Sequence, residues 1–187
     1  MKFFYNGLTL EVPKGVYYPD EDTILLAETI QQLFIKNKAV LEIGCGSGIV
    51  SILPAQDNTV TALDINEDAV KATEENAKAN SVEIKVLKSD IFSDVNDKFD
   101  IIIFNAPYLP PDELDKYLEK EKNNLIDDNV IERFLKQLPA HLNNNGFALL
   151  VTSSLTKLNI QDKCLNAKII ASKKLSWEEL FVYKITI

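Results

Sequence analysis

Four short polar or glycine-rich segments each follow an apolar run, and their residue types suit the binding of a nucleoside and the handling of a planar nitrogen. They are Leu-Glu-Ile-Gly-Cys-Gly-Ser-Gly at 41–48, Leu-Asp-Ile-Asn at 63–66, Lys-Ser-Asp-Ile-Phe at 88–92 and Asn-Ala-Pro-Tyr at 105–108. The first offers backbone that a ligand can approach, the next two offer carboxylates, and the last offers a side-chain amide. If the apolar runs are parallel strands, these segments meet at the carboxyl edge of one sheet, where ligands bind in α/β folds.

The glycine-rich segment separates two kinds of nucleoside-binding fold. The dinucleotide pattern Gly-x-Gly-x-x-Gly/Ala requires a small residue at position 49, which here is Ile49. The chain instead has Gly44, Gly46 and Gly48, with Glu42 two positions before the first glycine. This resembles motif I of class I methyltransferases, in which a positively charged sulfonium ligand replaces a pyrophosphate. The resemblance implies S-adenosylmethionine as cofactor, with the Glu42 carboxylate near the cation; a glycine-rich packing turn is the alternative.

Two aspartates fit the same ligand. Asp64 stands 20 positions beyond Gly44, where a carboxylate accepts hydrogen bonds from ribose hydroxyls in nucleoside-binding folds. Asp90 and Ile91 resemble motif III of the same enzymes, which implies that Asp90 accepts from the adenine amino group and that Ile91 packs on the ring. For each aspartate alone a helix cap or a solvated loop is the alternative, but three ligand positions at consecutive strand ends favour a cofactor site.

The segment Asn105-Ala106-Pro107-Tyr108 is similar to the Asn-Pro-Pro-Tyr motif of methyltransferases that modify planar nitrogens. The lone pair of an amide or aromatic amino group is delocalised, so an enzyme must hold both of its hydrogens and aim the nitrogen at the methyl group. Asn105 can accept one N–H through its side-chain oxygen, the backbone carbonyl of Ala106 can accept the other, and Tyr108 can cover the flat group. We expect the sulfonium methyl between Gly44 and Asn105, so Asn105 is also a predicted cofactor contact. Pro107 stiffens the turn and removes a competing donor. A turn with a capping asparagine is the alternative.

Hydrophobic periodicity predicts the elements that position these segments. Asn6-Gly7 between two β-prone runs predicts an N-terminal hairpin. Apolar residues at helical spacing predict helices from Asp20 to about Ile35, over 67–79 and over 128–142. Short apolar or alternating runs predict strands at 39–43, 59–63, 82–87, 99–104, 146–152, 167–171 and 179–187. The alternation predicts one α/β domain over 1–187, Rossmann-like, with a mostly parallel seven-stranded sheet, an antiparallel C-terminal strand and helices on both faces.

The segment from Tyr17 to Thr23 resembles the Tyr-x-Pro-x-Glu-Asp-Thr entry of HemK-like enzymes, in particular the short archaeal and eukaryotic release-factor glutamine methyltransferases. The match continues at 130–134 (Val-Ile-Glu-Arg-Phe) and 177–182 (Trp-Glu-Glu-Leu-Phe-Val). The resemblance implies that Thr23 reaches the cofactor and that a small zinc-binding activator subunit pairs with an edge strand, expected at 82–87. Relatives carry a tryptophan- and glycine-rich stretch where this chain has 121–128 (Glu-Lys-Asn-Asn-Leu-Ile-Asp-Asp). That stretch is where a changed substrate would show first. Ala106, which stands in place of a proline, can still supply the backbone carbonyl, but the loop loses some rigidity.

Charge and composition limit the kinds of substrate and the cell compartment that we expect for this protein. The net charge of -8 argues against bare nucleic acid as substrate, because phosphate binding generally needs a basic face. Lys116, Lys120 and Lys122 alternate with glutamates, which is typical of a solvated face. No apolar run predicts a signal peptide or a membrane span, so we expect a cytoplasmic protein. We expect Cys45 and Cys164 to be reduced thiols, and with a single histidine we expect no zinc cluster.

The loop chemistry predicts an N-methyltransferase that acts on a planar nitrogen. The resemblance to the release-factor enzymes implies S-adenosylmethionine as methyl donor and, as substrate, the glutamine amide of the Gly-Gly-Gln motif in a class I release factor. Two alternatives stay open: a methyltransferase for amino groups of rRNA, tRNA or DNA, and a non-enzymatic SAM-binding scaffold subunit. A nicotinamide oxidoreductase fits least, because the third small residue of its fingerprint is missing.

Overall fold

The predicted N-terminal hairpin is present in the computed structural model, which describes residues 1–108, 130–156 and 165–187. Strands β1 (Lys2–Tyr5) and β2 (Leu8–Glu11) pair antiparallel. Asn6 and Gly7 both have positive φ, as a two-residue turn of this kind requires. No helix within those ranges is long and apolar enough to cross a bilayer. The predictions for Cys164, for Lys116, Lys120 and Lys122, and for the 121–128 stretch lie outside the described residues.

Seven further strands form one sheet. They are β3 (Ala39–Ile43), β4 (Thr59–Asp64), β5 (Lys85–Lys88), β6 (Phe99–Asn105), β7 (Leu142–Ser153), β8 (Asn166–Lys174) and β9 (Glu179–Thr186). Their order is β5-β4-β3-β6-β7-β9-β8, and β9 runs antiparallel to both of its neighbours while the other pairings are parallel. The predicted fold class is confirmed, and β5 lies at an edge as expected.

Alternate residues of the central strands feed two hydrophobic layers, as expected for a sheet covered on both faces. Helices α1 (Glu21–Gln32) and α2 (Ile49–Ile52) contribute to one layer, and α4 (Val130–His141) contributes to the other. On the α4 side, Phe104 contacts Phe134, with 5.2 Å between the ring centroids. Helix α3 (Glu67–Ala79) buries small residues such as Ala69 and Ala72 against the N-terminal segment.

The ends of helices α3 and α1 explain why β5 begins later and α1 ends earlier than the sequence predicts. Helix α3 ends at Ala79, and Ser81, two residues later, has a left-handed φ of 58°. Ser81 N donates to Lys78 O at 3.1 Å, and Val82 N donates to Ala77 O at 3.1 Å. These two hydrogen bonds together close the C-terminus of the helix. Val82 therefore belongs to the helix cap, and β5 begins at Lys85 rather than at the predicted position 82.

Helix α1 carries the segment that matters for the site. The Asp20 side chain caps it by accepting from Glu21 N at 2.8 Å, and acidic Glu21 and Asp22 occupy the first turn, which suits the helix dipole. The helix ends at Gln32 instead of near Ile35, because Phe34 takes a left-handed φ of 46°. Its first turn lies at the carboxyl edge of the sheet, where its side chains reach the end of β6.

Candidate active site

The glycine-rich loop joins β3 to α2 and is fixed by hydrogen bonds from three neighbours. Cys45 N donates to Leu63 O at 2.9 Å, Thr73 Oγ1 donates to Gly46 O at 3.1 Å, and Asn76 Nδ2 donates to Ser47 O at 2.9 Å. Cys45 is a free, buried thiol. The loop is thus held by hydrogen bonds to β4 and α3.

The three glycines of this loop have different surroundings. Gly48 has φ 86°, and a Cβ there would lie 3.0 Å from the Thr73 side chain, so this glycine is required for packing. A Cβ on Gly46 would meet no atom within 4 Å, and one on Gly44 would meet only Phe104 and the Asn105 carbonyl, at ordinary contact distances of 3.6 and 4.0 Å. Gly44 is exposed next to the end of β6, and no atom fills the Cβ position of Gly46, so both glycines border open space where the sequence predicts a ligand.

Glu42 is buried beneath the loop, with 3% of its surface exposed. Ser51 Oγ donates a short hydrogen bond to its Oε2. Burial raises the pKa of Glu42 to about 8; the Ser51 hydrogen bond opposes this shift, and the nearby Asp64 carboxylate adds to it. A neighbouring cation would favour the ionised form, so the carboxyl group is well suited to a positively charged ligand.

Asp64 ends β4 and presents its carboxylate to the loop. Its Oδ2 accepts from Gly46 N at 2.9 Å and its Oδ1 accepts from Asn66 N at 2.9 Å. Partial burial raises the pKa of Asp64, and the backbone donors limit that rise. The carboxylate is therefore held rigidly at the strand end, with lone pairs left for further donors such as hydroxyls.

The segment after β5 brings Asp90 to the same edge of the sheet. Asp90 is paired with Arg133 of α4, with 2.5 Å between Arg133 Nη2 and Asp90 Oδ2. Ile91 is buried at 3% exposure with φ 52°, an unusual conformation for a β-branched residue. The predicted contacts of Asp90 and Ile91 with adenine stay predictions, and the Arg133 contact is one that local patterns did not indicate.

Asn105 is the last residue of β6, and its side-chain amide is oriented by α1. Its Nδ2 donates to Asp22 Oδ2 at 3.2 Å and to Thr23 Oγ1 at 3.3 Å. Among the described residues, no donor reaches its buried Oδ1. The amide thus presents an unpaired acceptor beside the glycine-rich loop.

Tyr108 and Tyr17 converge on the same carboxylate of α1. Tyr108 OH donates to Asp22 Oδ2 at 3.3 Å, and Tyr17 OH lies 3.2 Å from both Asp22 oxygens. Burial, and next the Asp22 charge, raise the pKa of both tyrosines far above the usual value, so both remain neutral donors. Ala106 is buried and Pro107 is exposed. The structure therefore brings Thr23, Asn105 and Tyr108 together, and it adds Asp22 and Tyr17, to which the sequence analysis gave no role.

An open cavity of about 740 Å³ adjoins this cluster. It is lined by Tyr17, Asp20, Glu21, Asp22, Lys174, Leu175, Ser176, Trp177 and Glu178. Glu178 is 9% exposed, and its Oε2 has no partner within the described ranges. Trp177 is 63% exposed. With four carboxylates and one lysine in its lining, the cavity has an acidic character.

The strand order β5-β4-β3-β6-β7-β9-β8, with β9 antiparallel, is that of the Rossmann-like methyltransferase fold. The model of the family described as Methyltransferase small domain matches residues 9–181. The chain belongs to this family and is a methyltransferase.

Relatives and solved structures agree with this membership. A Methanocaldococcus jannaschii protein named "Putative protein N5-glutamine methyltransferase" is 39% identical, covering 95% of this chain and 94% of the relative. A Fusobacterium nucleatum release factor glutamine methyltransferase is 37% identical over 127 residues, which are 64% of this chain but only 36% of the relative.

Two solved structures share the fold at about one-fifth sequence identity. The Mtq2-Trm112 complex of E. cuniculi, described as methylating the termination factor eRF1, gives a TM-score of 0.70 at 20% identity, covering 91% of this chain and 97% of the other. The 16S rRNA N2 methyltransferase RsmC of Thermus thermophilus, in complex with AdoMet and guanosine, gives 0.75 at 20% identity, covering 98% of this chain and 49% of the other.

Proposed function

We propose that this chain uses S-adenosylmethionine to methylate the side-chain amide of a glutamine in a class I release factor, within its Gly-Gly-Gln motif. One observation carries the proposal: among the described residues the buried Asn105 Oδ1 has no hydrogen-bond partner, and Asn105 itself lies next to Gly44 of the glycine-rich loop. Buried polar atoms are nearly always hydrogen-bonded, so an unpaired one at a strand end marks a place for a donor from a substrate. The NH2 of a glutamine is such a donor.

The residues around the loop fit the cofactor. Open space above Gly44 and Gly46 leaves room for its methionine part, and the rigid Asp64 carboxylate suits its ribose hydroxyls. The buried Glu42 carboxyl suits a cation. When bound, S-adenosylmethionine supplies a methyl carbon that the amide nitrogen attacks in line while the bond to sulfur breaks.

Asn105 acts on the substrate nitrogen by position and by charge. Its Oδ1 accepts one N–H of the substrate amide, which holds the NH2 group in place and stabilises the positive charge that develops on nitrogen. A preorganised group of this kind is worth about 3 kcal/mol in other enzymes. Tyr108 lies beside the same carboxylate as Asn105 and covers the flat amide. The proton of the methylated nitrogen passes to water.

Two observations support a protein substrate over a nucleic acid. The cavity beside Asp22 is lined by four carboxylates, which repel phosphate. The M. jannaschii relative, which this chain covers almost end to end, is named for a protein glutamine. The Mtq2-Trm112 complex suggests that a small subunit assists the reaction, and edge strand β5 offers unpaired backbone for it.

The test is transfer of labelled methyl from S-adenosylmethionine to a purified class I release factor and, in parallel, to total tRNA and rRNA. We expect label on the release factor, and its loss when the glutamine of Gly-Gly-Gln is replaced. Label only in RNA would overturn the substrate assignment and leave the fold and cofactor intact. Tight cofactor binding without transfer to either, with and without an added small subunit, would favour the scaffold alternative.

A further inference from the structure

The first turn of α1 contains a buried carboxylate that receives its hydrogen bonds from uncharged groups. Asp22 is 5% exposed. Its Oδ2 accepts from Asn105 Nδ2 at 3.2 Å and from Tyr108 OH at 3.3 Å. Its Oδ1 accepts from the Thr23 hydroxyl at 3.1 Å and from Thr23 N at 2.5 Å. Holding an anion in such a position is unfavourable unless several donors compensate for its burial, so the arrangement requires an explanation in function.

We propose that Asp22 is a positioning residue that fixes which end of the Asn105 amide faces the substrate. A carboxylate only accepts hydrogen bonds, whereas an amide has a donor end and an acceptor end. Asp22 therefore pairs with Nδ2 and excludes Oδ1. If the amide turned over, Oδ1 would lie against the Asp22 carboxylate, and two acceptors would face each other in a buried site.

Thr23 enforces the same orientation through its hydroxyl hydrogen. That hydrogen is directed to Asp22 Oδ1, at 3.1 Å. The Thr23 oxygen is then available only as an acceptor, and Asn105 Nδ2 donates to it at 3.3 Å. Both hydrogens of Nδ2 thus have acceptors on α1, and Oδ1 is turned away from the helix.

The consequence is that the Asn105 side chain presents its acceptor, and not its donor, to the incoming group. An NH2 group is bound by its hydrogens, and its nitrogen is left free for the methyl group. A carbonyl oxygen presented at the same point would face Oδ1 without a hydrogen between them. This inference rests on the proposed function for the role of Oδ1, but the orientation itself is a property of the chain alone.

The orientation is tested first without any substrate. The side-chain amide of Asn105 is observed by NMR in 15N-asparagine-labelled protein and assigned by its loss in Asn105→Ala. Replacing Asp22 by alanine removes a charged acceptor, and we expect the exchange of the Nδ2 hydrogens with water to accelerate by about tenfold or more. Glu21→Gln, which changes the adjacent acid of the same turn, is expected to leave the exchange unchanged.

Asp22→Asn is the second variant, in case the alanine variant does not fold. It keeps one acceptor oxygen, so we expect an intermediate acceleration. Unchanged exchange and chemical shifts of the Asn105 amide in a folded Asp22 variant, judged by its thermal melting curve, would overturn the proposal. Because this measurement needs no methyl acceptor, it gives its answer even if no glutamine substrate is found.

The rate of methyl transfer provides a second test of the role of Asp22. Asp22→Asn is expected to lower kcat by about tenfold with little change in KM for the release factor, since one hydrogen bond to a charged group is weakened. In an Asn105→Ala background the same change is expected to have almost no effect, because the amide that Asp22 orients is gone. Equal losses in both backgrounds would show that Asp22 does not act through Asn105. Absence of any transfer by the wild-type protein would instead count against the proposed function.

Discussion

Asn105 at the end of β6 is tied to Asp22 in the first turn of α1 by a 3.2 Å hydrogen bond that joins residues 83 positions apart in the sequence. The bond connects the strand end next to the glycine-rich loop with the helix that lines the acidic cavity. The bond thereby links Asn105, the proposed contact of the substrate amide, to the helix that borders the cavity. Variants of Asn105 are expected to affect turnover, and variants of the residues at the glycine-rich loop are expected to affect cofactor binding.

Replacement of Asn105 by alanine removes the acceptor for the substrate N–H but none of the loop contacts. We expect turnover to fall by about 10² to 10³-fold, the usual effect of losing one preorganised polar group, while the Kd for S-adenosylmethionine changes by less than about threefold. Methyl transfer and calorimetric titration of the cofactor measure the two effects. Asn96→Ala, at an exposed asparagine, is the matched control. A large loss of cofactor affinity in Asn105→Ala would place Asn105 on the cofactor side instead.

Replacement of Asp64 by alanine is expected to produce the opposite pattern. It removes a charged acceptor for the ribose hydroxyls and also the partner of Gly46 N. Hydrogen bonds to charged groups contribute about 1.5 to 3 kcal/mol, so the Kd for S-adenosylmethionine should rise about 10- to 100-fold. Equilibrium titration gives this value. Asp57→Asn, which changes an aspartate paired at the surface with Lys36, should bind normally. An unchanged Kd in Asp64→Ala would remove Asp64 from the cofactor site.

Elements with strong local signals could be predicted from sequence almost residue by residue. Helix α3 was predicted at 67–79 and observed at Glu67–Ala79, because Asn66 caps its start and its interior is rich in alanine. Strand β7 was predicted from position 146 but begins at Leu142. It follows α4 directly, and its first residues include Asn143-Asn144-Asn145-Gly146, which is typical of a turn. Asn145 has a φ of 66°, and the pairing of β7 with β6 shifts register there, so the sequence places the start of the strand too late.

The part of the site that could not be predicted depends on contacts distant in sequence. Asp22 reads locally as an acidic residue of a first helical turn, a common surface pattern. Its burial and its bonds to Asn105 and Tyr108 appear only once β6 is placed beside α1. The pair formed by Arg133 and Asp90 joins α4 to the loop after β5 in the same way. The one sequence feature that pointed to Asp22 was its place directly before Thr23 in the Tyr-x-Pro-x-Glu-Asp-Thr segment.

The glycines of the loop should differ in their tolerance of a side chain. At Gly48 an added Cβ meets both a left-handed φ of 86° and Thr73 at 3.0 Å, so Gly48→Ala should lower the free energy of unfolding by about 3 kcal/mol. At Gly46 the φ of 54° is the main obstacle and no atom lies within 4 Å, so Gly46→Ala should cost about 1 kcal/mol. Urea denaturation compares the two. Equal losses would contradict the assigned packing role of Gly48.

The buried Glu42 predicts a pH dependence of cofactor binding. Burial raises the pKa of Glu42 to about 8 in the ligand-free protein, and a bound cation would lower it, because opposite charges favour the ionised form. Binding a sulfonium then releases a proton whenever Glu42 starts protonated. The affinity for S-adenosylmethionine should therefore rise with pH from neutral toward 8 and level off above it. Titration calorimetry at several pH values measures this slope.

S-adenosylhomocysteine provides the control for the charge, because its sulfur is neutral and its amino acid part is the same. Its affinity should vary less over the same pH range, since it gives no added stability to the ionised carboxyl. Glu42→Gln keeps the hydrogen-bonding shape near Ser51 but cannot ionise, so it should make the two ligands respond alike to pH. Parallel pH slopes for both ligands in the wild-type protein would mean that the sulfonium binds away from Glu42, and that its buried carboxyl serves the packing of α2 against β3.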